Sequence, residues 1–434
     1  MRFVQASPFG MILAVSLASL PACQESSVET AARYLYVWAG DVDGADPDFL
    51  AVVDADPTSD GYGSIINTEP VRSRESLPHH TEYDLPPVGT YLFANAHRTE
   101  EVLLIDFQDP IRPQVVRTLD AVPPYRYPHD MVRMPNGNVL VGYLRSDGPS
   151  PLPADTTLPG GHGGIAEFTP DGELVRAVSA ADDVTDVPIR PYSFAMLPAI
   201  DRMVLTSAPM VEPYSADVVQ TWRLSSLELL HTLPVPPARL ANGELLQTEH
   251  RGVLQPTGHR YPFEPRVMPD GSVLLNAYGC GFYRVTQIDS DAPRLEHVYT
   301  IEVPSSADLG GCGIPVVAGD YWIMTVGAAA MLVTLDISDP SEPREVSRLP
   351  TEDGFAPHWL AKDPGSNRLI VGAENEIGGG DRMLMVIFDP LTGELSWDET
   401  LRAKQGFPRI DFRRTSWPHG DTGEALAHAA LFRP

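Results

Sequence analysis

Cysteine is almost absent, with three in 434 residues. No Cys-x-x-Cys pair or cysteine cluster supports a zinc or iron–sulfur cage. Basic residues are scarce as well. The 31 Lys and Arg stand against 58 Asp and Glu, and a net charge of −27 argues against a polyanionic partner such as nucleic acid. After the N-terminus no apolar run reads as a transmembrane helix. A nucleophile elbow, a P-loop and a Rossmann fingerprint are all missing. What is present is 43 % hydrophobic residues, enough for a sizeable core and against general disorder. The 43 prolines and 35 glycines interrupt the chain at short intervals, which suits many short strands.

The segment "MRFVQASPFGMILAVSLASLPACQ" has a basic start at Arg2 and an apolar stretch from Phe9 to Leu20, too short to span a bilayer. It ends Leu20-Pro21-Ala22-Cys23, which resembles a bacterial lipobox. The expected organisation is a signal peptide over 1–22, a tether over 23–33 and one domain over 34–434. Cys23 would be lipidated, giving an exported periplasmic or outer-membrane lipoprotein held to the membrane by its lipid alone. Cleavage near Ala22 by an ordinary signal peptidase is the competing reading, and it too exports the protein. In an oxidising compartment Cys280 and Cys312 either pair or stay free, and the sequence leaves both open.

An internal repeat sets the architecture. "PHDMVRMP" (128–135), "PYSFAMLP" (191–198), "PFEPRVMP" (262–269) and "PHWLAKDP" (357–364) align without gaps. Each turns through Asn, Asp or Gly into an apolar strand. "VLLIDFQDPIRPQVVRTLD" from Val102 and "LVTLDISDPSEPREVSRLP" from Leu332 repeat a strand, an Asp-Pro turn and an outer strand. Weaker anchors near Pro315 and Pro418, with Pro78, bring the number to seven. The pattern predicts an all-β, seven-bladed β-propeller, with six or eight blades as alternatives.

The residue after each leading proline would then form a ring at the channel: His79, His129, Tyr192, Phe263, His358 and His419. His80 adjoins His79 in "SLPHHTEYDLPP". Neighbouring strand residues point to opposite faces, so one shared site needs irregular backbone. Pro78 and Pro86-Pro87 predict a non-strand loop there.

Residues 47–80, "PDFLAVVDADPTSDGYGSIINTEPVRSRESLPHH", resemble the start of the selenium-binding protein family, whose members are described as methanethiol oxidases. "YPHDMVRMPNGNVLVGYL", "PFEPRVMPDGSVLLNAYGCGFYRV" and "GEALAHAALF" resemble its later motifs in order. The resemblance implies a seven-bladed propeller with copper held by His79, His80, His129 and His428. It also implies conversion of methanethiol, O₂ and water to formaldehyde, hydrogen sulfide and hydrogen peroxide. Tyr62 stands near the family's selenium-associated cysteine, and Ala429 replaces its usual acidic residue.

Imidazole ligands suit copper, with zinc or another divalent ion as the alternative, and of copper and zinc only copper changes oxidation state. His129 and His358 are the expected catalytic imidazoles, His358 as a further ligand or a proton donor. Glu82 and Asp84 are read either as acceptors that orient imidazoles or as solvated carboxylates, and Glu264 and Arg266 either as blade-top groups that meet a charged ligand or as an internal ion pair. The substrates would be a small thiol and O₂. The alternative is a non-catalytic exported propeller that binds metal or scaffolds protein partners. Convergence of His79, His80, His129 and His428 separates the two.

Overall fold

The structure, a computed structural model, describes Met1 and residues 31–147, 160–210, 214–250, 253–303, 311–374 and 379–433. The signal peptide, Cys23 and most of the tether lie outside the described residues. The described chain is a seven-bladed β-propeller, 51 % strand and 3 % helix. The first blade pairs strands Tyr34–Asp41, Phe49–Asp54 and Ile65–Pro70 with the C-terminal strand Ala425–Arg433. The next five are consecutive four-stranded meanders starting at Pro78, Tyr125, Pro191, Pro262 and Cys312. The seventh starts at Pro357 and carries an added strand, Arg409–Asp411. Among the described residues no helix is long and apolar enough to cross a membrane.

Burial falls from the channel outwards. The inner strand Pro357–Lys362 is almost wholly buried, whereas the outer strand Arg344–Pro350 is mostly exposed. The Asp-Pro turns work as their sequence implies, since Asp109 and Asp339 accept the amides of Ile111 (3.0 Å) and Ser341 (2.9 Å) two residues on. Closure is tied by a buried ion pair, Arg368 to Asp363 at 2.6 Å. Asp363 accepts the amide of Ala32 through both oxygens at 3.1 Å, and Arg368 donates to the Ala32 carbonyl at 2.9 Å. The start of the domain is thus pinned to the seventh blade.

Cys280 and Cys312 form a disulfide between the fifth and sixth blades, with Cα atoms 5.1 Å apart. It cross-links residues 32 apart. Loop entropy then predicts a loss of about 4 kcal/mol on replacing both with serine. A urea midpoint lowered in proportion checks this.

The inner strands touch in circular order around the channel. Each carries a bulge near its leading end. Between Pro78 and Thr81 two residues face one on the neighbouring strand. The same irregularity recurs after Pro128, Pro191, Pro262, Cys312 and Pro357, and around His428 in Ala425–Arg433. A bulge re-aims side chains that a regular strand would send to opposite faces. The expected loop at the histidine pair is therefore corrected. Pro78–Thr81 is a strand, and its bulge supplies the irregularity.

The residue facing each bulge locks the next blade. Asn95 donates to the carbonyls of Pro128 (2.9 Å) and His129 (3.0 Å), and Asn276 to those of Cys312 (3.1 Å) and Gly313 (3.2 Å). Thr206 bonds the Phe263 carbonyl at 2.5 Å and Thr325 the His358 carbonyl at 2.9 Å. Where no polar side chain serves, glycine does. A Cβ at Gly142 would lie 3.1 Å from the Pro191 carbonyl, and one at Gly372 would run into that of His428.

Candidate metal centre

The bulges deliver two tiers of side chains to the channel. The ring tier is His79, His129, Tyr192, Phe263, Gly313, His358 and His428, one from each inner strand. Two expectations change here. His419 is not in the ring. It sits in a separate two-stranded hairpin, with Nδ1 2.5 Å from Thr68 Oγ1 and its ring against Phe49. Its place is taken by His428 on the C-terminal strand. The sixth blade contributes Gly313, because a Cβ there would sit 2.8 Å from the His358 carbonyl and 3.2 Å from His358 Nδ1.

Six buried histidines converge. His79 lies 4.3 Å, ring centre to ring centre, from both His80 and His428, and 5.3 Å from His129. His80 lies 4.3 Å from His129, and His358 lies 5.2 Å from His428. His97, unmarked by any motif, packs 5.6 Å from His79. It corresponds to Tyr278 in the repeat of Asn95-Ala96-His97 with Asn276-Ala277-Tyr278, and that alignment was the signal available for it. Ligand atoms of His79, His80 and His129 lie within 4.8 Å of one another, as do those of His79, His358 and His428. His428 is 6.3 Å from His80, so it approaches from the far side of His79.

The nitrogens of these rings divide by role. Nδ1 of His129 bonds the Tyr192 carbonyl at 2.9 Å, and that of His428 the His79 carbonyl at 2.8 Å. His358 Nδ1 faces the Glu374 carboxylate at 3.0 Å. Nε2 of all six rings, and Nδ1 of His80 as well, is buried without a partner among the described residues. Each bare buried nitrogen costs about 1–3 kcal/mol, and a bound cation removes the debt. Nδ1 pinned to a carbonyl with Nε2 free is the tautomer a metal ligand needs. The donor set fits a metal that prefers imidazole.

Burial, followed by repulsion from the neighbouring imidazoles, holds His79 and His80 well below the ordinary histidine pKa. Burial likewise depresses His129, takes His428 to about 3, and takes His97 to about 4. Neutral rings are what a metal requires. His358 is the exception. Burial is the largest influence and works against its charge, but the carboxylates of Glu374 and Glu264 together raise it, while Glu374 itself falls to about 2 beside that imidazole. Nothing in the local sequence marks Glu374, which arrives from the end of a second strand.

On one side of the ring, Tyr192 stacks between His129 and Phe263, 4.1 Å from each. Below lies the second tier: His80, Asp130, Ser193 and Glu264, each following a ring residue. Burial and the nearby charge of Glu264 raise Asp130 to about 7. Tyr83 crosses the channel beneath them, stacked on Trp359 at 5.7 Å with the Arg266 guanidinium 4.8 Å from its ring. These three form the ceiling of a vestibule of about 580 Å³ that opens at the opposite mouth. The expected ion pair of Glu264 and Arg266 is present at 3.0 Å. Glu82 pairs with Arg133 at 2.8 Å rather than with an imidazole.

The fold and the site define a seven-bladed propeller with a buried polyhistidine pocket on its axis. No family model matches the chain. Methanethiol oxidase of Hyphomicrobium sp is 26 % identical over 238 residues, 50 % of this chain and 52 % of that protein. The chain thus matches about half the length of that curated relative. A hypothetical selenium-binding protein from Sulfolobus tokodaii superposes with a TM-score of 0.69 at 14 % identity, covering 92 % of this chain and 93 % of the other. The periplasmic gluconolactonase of Pseudomonas aeruginosa gives 0.56 at 16 % identity over 92 % and 99 %. The sequence likeness supports a relation to methanethiol oxidase, and the structural ones support the fold.

Proposed function

We propose that this protein is a divergent member of the selenium-binding protein family and a copper-dependent oxidase of a small thiol. The reaction is CH₃SH + O₂ + H₂O → CH₂O + H₂S + H₂O₂. The supporting observation is the set of six buried imidazoles whose Nε2 atoms have no protein partner. His79, His80 and His129 would hold the ion, with His428, which converges on His79, as a fourth candidate ligand. Copper bound there supplies a Lewis acid that favours thiolate over thiol, together with a redox couple that O₂ can reoxidise.

The chain's own residues do the rest. Burial keeps the four ligand rings neutral, and carbonyl bonds to Nδ1 hold His129 and His428 in the tautomer with Nε2 free. Tyr192 and Phe263 give the substrate methyl group an apolar wall. His358, its pKa raised beside Glu374 and its Nε2 without a partner among the described residues, is placed to give a proton to a peroxide leaving group.

Two expected results bear on this. Glu374→Gln should retain copper while kcat falls about 100-fold, the scale of a lost acid–base group. The alkaline limb of its pH profile should move to lower pH, because His358 loses the carboxylate that raises it. Cys23 is read as the lipid-bearing residue of an exported protein. Labelled palmitate should therefore be incorporated into the wild-type protein and not into Cys23→Ser. Formation of formaldehyde, sulfide and peroxide in equal amounts from methanethiol tests the oxidase reading, and absence of thiol-dependent O₂ uptake refutes it.

A further inference from the structure

Glu264 is the buried acid that metal binding leaves unexplained. It follows Phe263 in the fifth blade's bulge and is fully buried in the second tier. Its two oxygens are treated very differently. Oε2 accepts from Tyr83 Oη (3.0 Å), Ser193 Oγ (3.1 Å) and Arg266 Nη1 (3.0 Å). Oε1 is equally buried and accepts from nothing among the described residues. Three donors on one oxygen fix the carboxylate's orientation and leave the other oxygen's lone pairs bare. An orphaned buried acceptor of this kind calls for a partner that the protein does not supply.

The surroundings indicate what that partner is. Above Glu264 lies the histidine ring. Beneath it, Tyr83 and Arg266, both bonded to the carboxylate, line the vestibule, a source of water. A carboxylate oriented by Arg266, between a redox site and a water supply, is placed to take a proton from water.

We propose that Glu264 is the general base of a hydrolytic half-reaction in this channel, a role that rests on the oxidase reading above. The overall conversion divides into two balanced parts. Oxidation of the methyl carbon gives thioformaldehyde, CH₃SH + O₂ → CH₂S + H₂O₂. Hydration completes it, CH₂S + H₂O → CH₂O + H₂S. In the second part the water oxygen bonds to carbon, Glu264 Oε1 takes the water proton, and the C=S electron pair moves to sulfur. Glu264 returns that proton to sulfur. The carbon–sulfur bond then breaks as the remaining hydroxyl proton passes through the same oxygen to the departing sulfide. The carboxylate ends unchanged, and no further oxidant is needed.

The test uses copper-loaded full-length protein with methanethiol and O₂, and quantifies all three products separately. Glu264→Gln should keep its copper content and copper spectrum and form peroxide near the wild-type rate. Release of sulfide and formaldehyde should fall about 100-fold or more, the usual contribution of a general base, with thioformaldehyde collecting as its cyclic trimer. Three products still formed in equal amounts, at the wild-type rate or at one common slower rate, overturn the proposal. Should the amide variant lose copper, Glu264→Asp keeps the charge opposite Arg266 while drawing back the free oxygen. The peroxide-to-sulfide ratio then decides in the same way, above one in support and equal to one against. A wild-type protein without O₂ uptake overturns the oxidase reading itself. A wild-type oxidase with balanced products from both variants overturns only the role of Glu264.

Discussion

Alanine at His79 is expected to abolish metal binding and thiol-dependent O₂ uptake while leaving the propeller folded. His79 is the one imidazole common to both sets of three converging ligands, so its loss breaks the site whichever set the ion prefers. Removing a mere outer partner of a ligand costs about 10- to 100-fold in affinity, and removing a shared ligand should cost more. Metal content after dialysis against a chelator reads this directly. His358→Ala is the control, because the set of His79, His80 and His129 survives it. That variant should keep copper and lose turnover. Folding should tolerate the His79 change, since that ring's Nε2 is itself a bare buried atom in the metal-free protein.

Acid should destabilise the metal-free protein steeply between about pH 6.5 and 4, the interval separating free histidine from these buried rings. His79, His80, His97, His129 and His428 all have depressed pKa values, with His97 at about 4 and His428 at about 3. Over that window the unfolded chain binds protons that the folded chain refuses, so stability rises with pH and is lost as pH falls. Each such proton is worth about 1.4 kcal/mol per pH unit. Asp130 and Glu82, both raised by burial to about 7, act in the opposite sense, as folded groups that hold protons the unfolded chain has released. The five imidazoles outnumber these two carboxyls, so the net slope keeps its sign. Urea titrations of the metal-free protein at a series of pH values check it. A midpoint independent of pH across that window would remove the burial argument for neutral ligands.

The propeller was legible because its repeat is written in prolines and turn residues, which act locally. A proline followed by an aromatic residue or histidine, then a strand and a tight turn, marks four blades without gaps. His129 and His358 lie on those marks, His79 follows the further anchor at Pro78, and His80 is named by the family resemblance alone; the structure brings all four together. The remaining parts of the site depend on the closed ring. His428 reaches it on a strand that pairs with Tyr34–Asp41 across the whole chain; the proline repeat points instead to His419 near Pro418, and only the family resemblance of "GEALAHAALF" singles out His428. Gly313 leaves a gap in the ring because the His358 backbone needs the space, a condition set by a different blade. Glu374 meets His358 from a strand end, and one carboxylate among 58 acidic residues carries no positional signal. The bulge at the histidine pair has no side-chain signature of its own, which is why a loop was expected where a strand stands.

The most direct test of the central claim is electron paramagnetic resonance of the copper-loaded protein, read for nitrogen couplings. The account predicts a copper centre coupled to several imidazole nitrogens in the wild type, abolished in His79→Ala and retained in His358→Ala. A wild-type protein that binds no copper, or holds it through oxygen ligands with no imidazole coupling, would contradict it.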